Sequence, residues 1–409
     1  MKMGSKIHAK SMKNRGSVAD AFWERFGNAP GAKTHKSWHS IWTPFATIFG
    51  PKSKKCIHLA ALIGIPYSYI SPLAYIKTNI EEELTFSEEK VYDGGVSLIQ
   101  KDRNTDLIHI SYSTPKTQSR VYLYNLKTKE KKLVKEQEIP SGHNPDDYIV
   151  ERLECPSHDG KLIPITITRH KNTKIDGSSN LLLYGYGSYG SSMWPGFSST
   201  RFSLIDRNII WATAHIRGGM EKGMKWWKEG KLLNKKNTFE DYISVANFLI
   251  KKKYTAKRKI IGMGGSAGGL LMGAVVNQEP DLFLGIIMAV PFVDSLTTNL
   301  DHSLPLTVGE FDEFGNAKDN KEHFDYIYSY APYNNIKKMD YPHILITTSL
   351  SDNRVLFDEP LKFTAKLREF KTCLLYTSDA ADKVLGVDLG GRRIIKKKRW
   401  VGGGGGGGG

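Results

Sequence analysis

Cysteine is scarce in this chain: Cys56, Cys155 and Cys373 are odd in number, scattered, and form no CxxC pair. That excludes a disulfide framework and a thiolate zinc site, and it suits a reducing compartment. Acidic residues are outnumbered, 42 against 58 Lys and Arg, for a formal net charge of +16. Such an excess invites a nucleic-acid partner. However, much of it lies in the first 55 residues and in the cluster Arg392–Arg399, and no helix-turn-helix, RNA-recognition or zinc-finger pattern goes with it. Nucleic-acid binding is therefore not expected. Long apolar runs are also lacking. The most apolar stretch, Cys56–Ile76, is interrupted by His58, Pro66 and Pro72, and the first residues show no compact apolar segment of a signal peptide. A cytoplasmic protein without a membrane anchor is the expectation.

What is present is enough to build a core. Of the 409 residues, 40% are hydrophobic and 11% aromatic, which argues against a disordered chain. Residues 1–75 sustain neither strand nor helix periodicity and stay unassigned, and a frameshifted reading would account for them. From about residue 76 to 140, short alternating strands at Leu107–Tyr112, Val121–Asn125 and Lys132–Val134 predict an antiparallel meander such as one β-propeller blade.

From residue 141 to 372 the pattern becomes strand–helix alternation. A hairpin, Val150–Glu154 with Leu162–Thr168, turns at Asp159–Gly160. Strands follow at Asn180–Tyr186, Ile209–His215, Lys259–Met263, Gly285–Pro291 and His343–Thr348. Helices are predicted at Thr238–Lys252, Ala267–Asn277 and Asp358–Phe370, the first with Phe239, Tyr242, Val245, Ala246 and Leu249 on one face and Asn237 and Glu240 as a capping pair. This alternation gives an α/β fold with a doubly wound, mostly parallel sheet. Residues 373–409 break the pattern. LYTSDAAD (375–382) resembles translated adapter sequence, and eight glycines close the chain, so this tail is expected to be disordered and non-native.

The chemistry centres on Gly264–Gly265–Ser266–Ala267–Gly268, a G-x-S-x-G pattern between an apolar strand and a helix. A sharp strand-to-helix turn needs small neighbours and lifts the serine hydroxyl above the sheet, and the N–H of Ala267 can then face an oxyanion. A hydroxyl needs a base oriented by a carboxylate, in chain order Ser, Asp or Glu, His on this fold. Asp352, just past a predicted strand, suits the carboxylate, although a lone Asp there also serves as a turn or cap residue. No histidine follows Asp352: the last of the twelve is His343. His215 and His343, in or beside predicted buried strands, suit packing or hydrogen bonding better than catalysis.

Several longer stretches carry a resemblance: LLLYGYGSYG (181–190), AHIRGG (214–219), GKLLNKKNTFEDY (230–242), GGSAGGLLMGAVVNQ (264–278), VPFVD (290–294), LTVGEFDEFGN (306–316) and KLREFKT (366–372). Over about seven-tenths of the chain they are similar to the oligopeptidase B group of the prolyl oligopeptidase family of serine peptidases. The resemblance implies an α/β-hydrolase domain, C-terminally incomplete, behind a β-propeller remnant. It implies Ser266 as nucleophile, Asp352 as triad acid, Tyr186 as oxyanion donor beside Ala267, and Glu310 and Asp312 as the acids that select Lys or Arg. Arg354 falls near a substrate-binding arginine of prolyl oligopeptidases. A carboxylate pocket for guanidinium also makes physical sense, because paired charge-assisted hydrogen bonds match the two groups.

Two departures stand out. The family's acids for a second basic residue would fall near Trp194 and Gly196, and its histidine would follow KLREFKT, where this chain has the adapter-like tail. The expectation is a serine peptidase acting as a monomer on short basic peptides, without metal or organic cofactor, and nearly inactive as written. An esterase on the same fold would need no role for Glu310 or Asp312, and a non-catalytic hydrolase-like binding protein would need no histidine.

Overall fold

The computed structural model describes residues 91–98 and 106–372, together with strands at Leu73–Ile76, Glu81–Leu84 and Gly386–Asp388. Strands β1 (Leu73–Ile76) and β2 (Glu81–Leu84) form an antiparallel pair, so regular structure straddles the expected boundary at residue 75. Most of the apolar stretch Cys56–Ile76 lies outside the described residues, and among those described no helix is long and apolar enough to cross a membrane.

Four strands then make an antiparallel meander in sequential order: β3 (Asp93–Leu98), β4 (Leu107–Ser113), β5 (Arg120–Asn125) and β6 (Lys131–Glu136). Alternation along β4 buries Ile108, Ile110 and Tyr112, which meet Tyr124 and Leu126 in a small core of their own. All six residues of β6 are exposed. The sheet has the form expected of a propeller blade.

The main sheet has eight strands: β7 (Tyr148–Pro156), β8 (Leu162–His170), β9 (Leu181–Tyr184), β10 (Ile210–Ala214), β11 (Ile260–Gly265), β12 (Phe283–Ala289), β13 (His343–Thr347) and β14 (Gly386–Asp388). Their order is β14-β13-β12-β11-β9-β10-β8-β7. The block β13 to β10 is parallel, and β7, β8 and β14 are antiparallel to their neighbours. The helices are α1 (Ser199–Ile205), α2 (Met224–Lys228), α3 (Lys236–Lys251), α4 (Ala267–Gln278), α5 (Ser295–Leu300), α6 (Phe311–Phe314), α7 (Lys321–Tyr328) and α8 (Asp358–Phe370). This is the α/β-hydrolase architecture, a mixed and mostly parallel sheet. Central strands are buried on both faces and so are continuously apolar: Leu181, Leu182 and Leu183 of β9 are all buried. The chain leaves β9 for β10 on one side, then crosses over to β11 on the other. Strand order therefore reverses between β9 and β11, and the crevice beyond their carboxyl ends is where open α/β sheets take ligands.

Some expectations need correction. Helix α3 buries the predicted face, Phe239, Tyr242, Val245, Ala246 and Leu249, but Asn237 and Glu240 do not cap it. The short helical turn Leu232–Asn234 runs almost directly into α3, so the helix starts at Lys236, and Asn237 Nδ2 instead donates to the carbonyl of Glu229 at 2.9 Å. His343, expected in a buried strand, is exposed at the start of β13. Within the tail expected to be disordered, Gly386–Asp388 pairs with Thr347–Leu345 of β13; the rest of 373–409 lies outside the described residues.

One buried acid makes stability pH-dependent. Glu359 on α8 is 3% exposed, accepting from the Asp294 N–H at 3.0 Å and the Thr298 hydroxyl at 2.6 Å. Burial, seconded by the charges of Asp294 and Asp358, pushes its pKa up to about 7 against the pull of those two hydrogen bonds. The folded state thus holds a proton that the unfolded chain releases near pH 4.5, so this contribution to stability is present at low pH and is lost as pH rises toward 7. Urea unfolding should show Glu359→Gln gaining on the parent between pH 5 and pH 8, by on the order of 2 kcal/mol. Parallel pH profiles for the two proteins would contradict this.

Candidate active site

Ser266 stands between β11 and α4 with φ 55° and ψ −119°, a conformation costly for a side-chain-bearing residue. The surroundings enforce it. Its N–H donates to Ala289 O at 2.9 Å, and its carbonyl accepts from Gly269 at 2.8 Å and from Phe292 at 3.1 Å. The flanking glycines are required for space. A Cβ on Gly264 would stand 2.3 Å from the carbonyl oxygen of Gly268, and one on Gly269 would stand 2.4 Å from Pro291 Cα. The sharp turn expected from G-x-S-x-G is therefore present, for the steric reason given.

Ala267 opens α4, so its N–H is one of the helix's unpaired N-terminal donors, at the positive end of the helix dipole. Tyr186 follows β9, the strand adjacent to β11, and its phenol interacts with the Ser266 side chain. Burial, chiefly, raises the Tyr186 pKa; Tyr184, Glu313 and Glu310 add to this, and the Ser266 contact opposes it. A phenol so shifted stays protonated near neutrality and can donate. Ser266 and Tyr186 thus flank the crevice where strand order reverses.

Asp352 lies in the loop between β13 and α8, at the same carboxyl edge of the sheet. The strand ends are stitched there, Ser266 N–H to Ala289 O and Val290 N–H to Thr347 O. Asp352 Oδ1 accepts from the N–H groups of Arg354 at 2.9 Å and Val355 at 3.1 Å. It therefore performs the turn-forming role weighed above, with one oxygen. Arg354 is exposed in the same loop.

The acidic segment divides. Glu310 is half-buried, its Oε1 accepting from the Tyr189 hydroxyl at 3.0 Å. Desolvation raises the Glu310 pKa, the Tyr189 hydrogen bond lowers it, and the nearby charge of Glu313 raises it again. Asp312 is exposed, and the buried acid is Glu313. Trp194 is 54% exposed, while Gly196 faces the blade, its notional Cβ 3.3 Å from Asp93 Oδ2.

Of the described histidines, His215 is the deeply buried one. Its Nε2 lies 2.7 Å from Arg152 Nη1 and 2.8 Å from Thr166 Oγ1, and its Nδ1 lies 3.5 Å from Glu221. Burial, then Arg152, lowers its pKa, so it is a neutral structural imidazole. Sequence reasoning missed Tyr189, Lys235 and Glu313. Nothing in residue type marks a lysine or glutamate as buried, since both are ordinarily surface residues.

Against this geometry stand the relatives. Residues 195–381 match the model described as the prolyl oligopeptidase family. A protein named dipeptidyl aminopeptidase BI, from Pseudoxanthomonas mexicana, is 43% identical over 304 residues, 74% of this chain and 42% of its own. Protease 2 of Moraxella lacunata is 40% identical over 285 residues, covering 70% and 41%. Among solved structures, oligopeptidase B from Leishmania major aligns with a TM-score of 0.66 at 39% identity, over 72% of this chain and 41% of that one. Oligopeptidase B from Trypanosoma brucei, a closed form with covalently bound antipain, gives 0.68 at 39%, over 72% and 42%. The chain spans about two-fifths of the length of these curated relatives.

Proposed function

Because residues 195–381 give this chain a prolyl oligopeptidase family domain, we propose that it encodes the catalytic part of a serine peptidase that cleaves short peptides after Lys or Arg. The observation that carries this reading is the strained Ser266, with the Tyr186 phenol interacting with its side chain and a half-buried carboxylate, Glu310, in the neighbouring segment. On this reading residues 141–372 make up the peptidase domain and 76–140 a blade remnant, with 1–75 unassigned; of the tail 373–409, the residues to 381 fall within the family match and Gly386–Asp388 pairs with the edge of the sheet.

In the reaction, the Ser266 hydroxyl adds to the scissile carbonyl. The developing oxyanion takes hydrogen bonds from the Ala267 N–H and the Tyr186 hydroxyl; the C–N bond then breaks, the amine leaving with the proton that the base took from Ser266, and water hydrolyses the acyl-enzyme. Glu310 would receive the guanidinium or ammonium of the substrate, with Tyr189 fixing the carboxylate, and exposed Asp312 would add only screened attraction. Asp352 would orient the base. No histidine follows it, so the chain as written should be nearly inactive.

The test is a graft. The residues after Thr372 are replaced by the corresponding stretch of the Moraxella lacunata relative, where the family resemblance expects the histidine. The graft should cleave N-terminally blocked Arg and Lys fluorogenic peptides, several orders of magnitude faster than the parent. Ser266→Ala should abolish this, and Glu310→Gln should erase the preference over neutral peptides. Equal turnover of neutral peptides by the unmutated graft would sink the acidic-pocket reading. Release of dipeptides only from free N-termini would instead favour the mode named for the Pseudoxanthomonas mexicana relative.

A further inference from the structure

Lys235 takes no part in the chemistry above, yet it is 1% exposed. Its Nζ donates to Gly187 O at 2.7 Å and to Ser188 Oγ at 2.6 Å, and it pairs with Glu313 Oε1 at 3.5 Å. Glu313 Oε2 accepts from Trp227 Nε1 at 2.8 Å, and the ammonium lies 5.4 Å from the centre of the Phe314 ring. These partners belong to two separate segments. Gly187 and Ser188 are in the turn that carries Tyr186 and Tyr189; Glu313 and Phe314 are in α6, directly after Glu310. The turn holds Tyr189 at φ 58°, a conformation rare for a residue with a side chain, close to Gly187 at φ 72°, which glycine adopts freely. A buried ammonium is costly unless it is hydrogen-bonded and paired, and here two oxygen acceptors and the Glu313 carboxylate surround it. Tyr189 closes the loop, since its hydroxyl bonds Glu310 and its ring meets Phe314 edge-on at 5.8 Å.

We propose that Lys235 is a positioning residue for basic-side-chain recognition: a buried cation that clamps the Tyr186–Tyr189 turn to α6 and so sets the Tyr189–Glu310 pair. This rests on the reading of Glu310 as the receptor for Lys or Arg. The titratable groups around the clamp are Glu313, Glu310, Tyr186, Tyr189 and Tyr330. Burial lowers the Lys235 pKa to about 8, opposed by Glu313, whereas burial raises all three phenols, which stay protonated near that pH. The clamp should therefore lose its charge as pH rises past about 8.

The test needs no turnover, so the full chain serves. Benzamidine, whose amidinium mimics guanidinium and stays protonated well above pH 9, is titrated calorimetrically from pH 7 to 9. The parent should bind more weakly as pH passes 8. Lys235→Met should bind about tenfold more weakly at pH 7, as expected when a site's supporting groups are loosened, and should show no such alkaline loss. If the buried Glu313 charge prevents that variant from folding, Lys235→Met with Glu313→Gln leaves no charge stranded and should show the same weakened, flat profile. A folded variant binding within twofold of the parent at pH 7 overturns the proposal. Glu310→Gln is the control for the pocket itself. If it binds as tightly as the parent, the failure lies in the pocket reading and not in the clamp alone.

Discussion

Replacing Arg217 by methionine should lower the melting temperature of this domain by about 6–20 °C, the range implied by a loss of about 3–5 kcal/mol. The guanidinium is 1% exposed and joins three parts of the fold. It gives Nε and Nη2 to Asp241 of α3 at 2.8 and 2.6 Å, and Nη1 to Asp159 in the β7–β8 turn at 2.6 Å. Its own N–H also reaches Asp241 Oδ2 at 3.0 Å, and Ser157 Oγ donates to Asp241 Oδ1 at 2.5 Å. Without the guanidinium, Asp241, wholly buried, keeps two hydrogen bonds but no counter-charge. Leaving one member of a buried pair is worse than removing both, so Arg217→Met with Asp241→Asn should recover part of the loss. Thermal melts of the parent and the two variants decide the matter. A single variant within about 2 °C of the parent would show that the pair carries little of the stability.

The second large effect is expected at Gly264→Ala. A methyl there meets backbone, Gly268 O at 2.3 Å and Gly268 C at 2.7 Å, so no side-chain rotation can relieve it. Either β11 or the first turn of α4 must move, and Ser266 lies between them. Overpacking of this kind costs roughly 1–3 kcal/mol. In the histidine-restored graft the larger consequence is for turnover, because a displacement of about 1 Å at a reacting group can cost around 100-fold. Gly309→Ala, where a Cβ meets nothing within 4 Å, should leave the melt unchanged and serves as the stability control. A graft carrying Gly264→Ala that turns over within threefold of its parent would refute the steric reading of the elbow.

Much of the fold was legible because its signals are periodic and local. The alternation of Leu107–Tyr112 and the face of α3 were plain in the sequence, and α8 was bounded correctly at Asp358 and Phe370. The sharp turn at Ser266 was legible because it constrains its neighbours as well as the serine. Failures occurred where tertiary partners override a local rule. Asn237 has the chemistry of a cap, but the carbonyl of Glu229, at the end of α2, claims its amide. His343 sits in a strand of apolar texture, yet that strand exposes His343 and Leu345. The network of Lys235, Glu313 and Tyr189 was invisible because its members are far apart in sequence and of surface-favouring types, and only the packing of α6 against the Tyr186–Tyr189 turn brings them together.

Strand β6 has a consequence for how copies of this chain meet. As the last strand of its meander it presents backbone donors and acceptors sideways, the arrangement by which sheets recruit further strands. Its sequence, Lys131–Lys132–Leu133–Val134–Lys135–Glu136, sets lysines on both faces around two exposed apolar residues. A second β6 docking antiparallel in register would set Lys132 against Lys135 on both sides of Leu133 and Val134, with only the outer Lys131–Glu136 pairs of opposite charge. The blade's outer rim thus carries like charges that weigh against edge-to-edge stacking of copies into fibres.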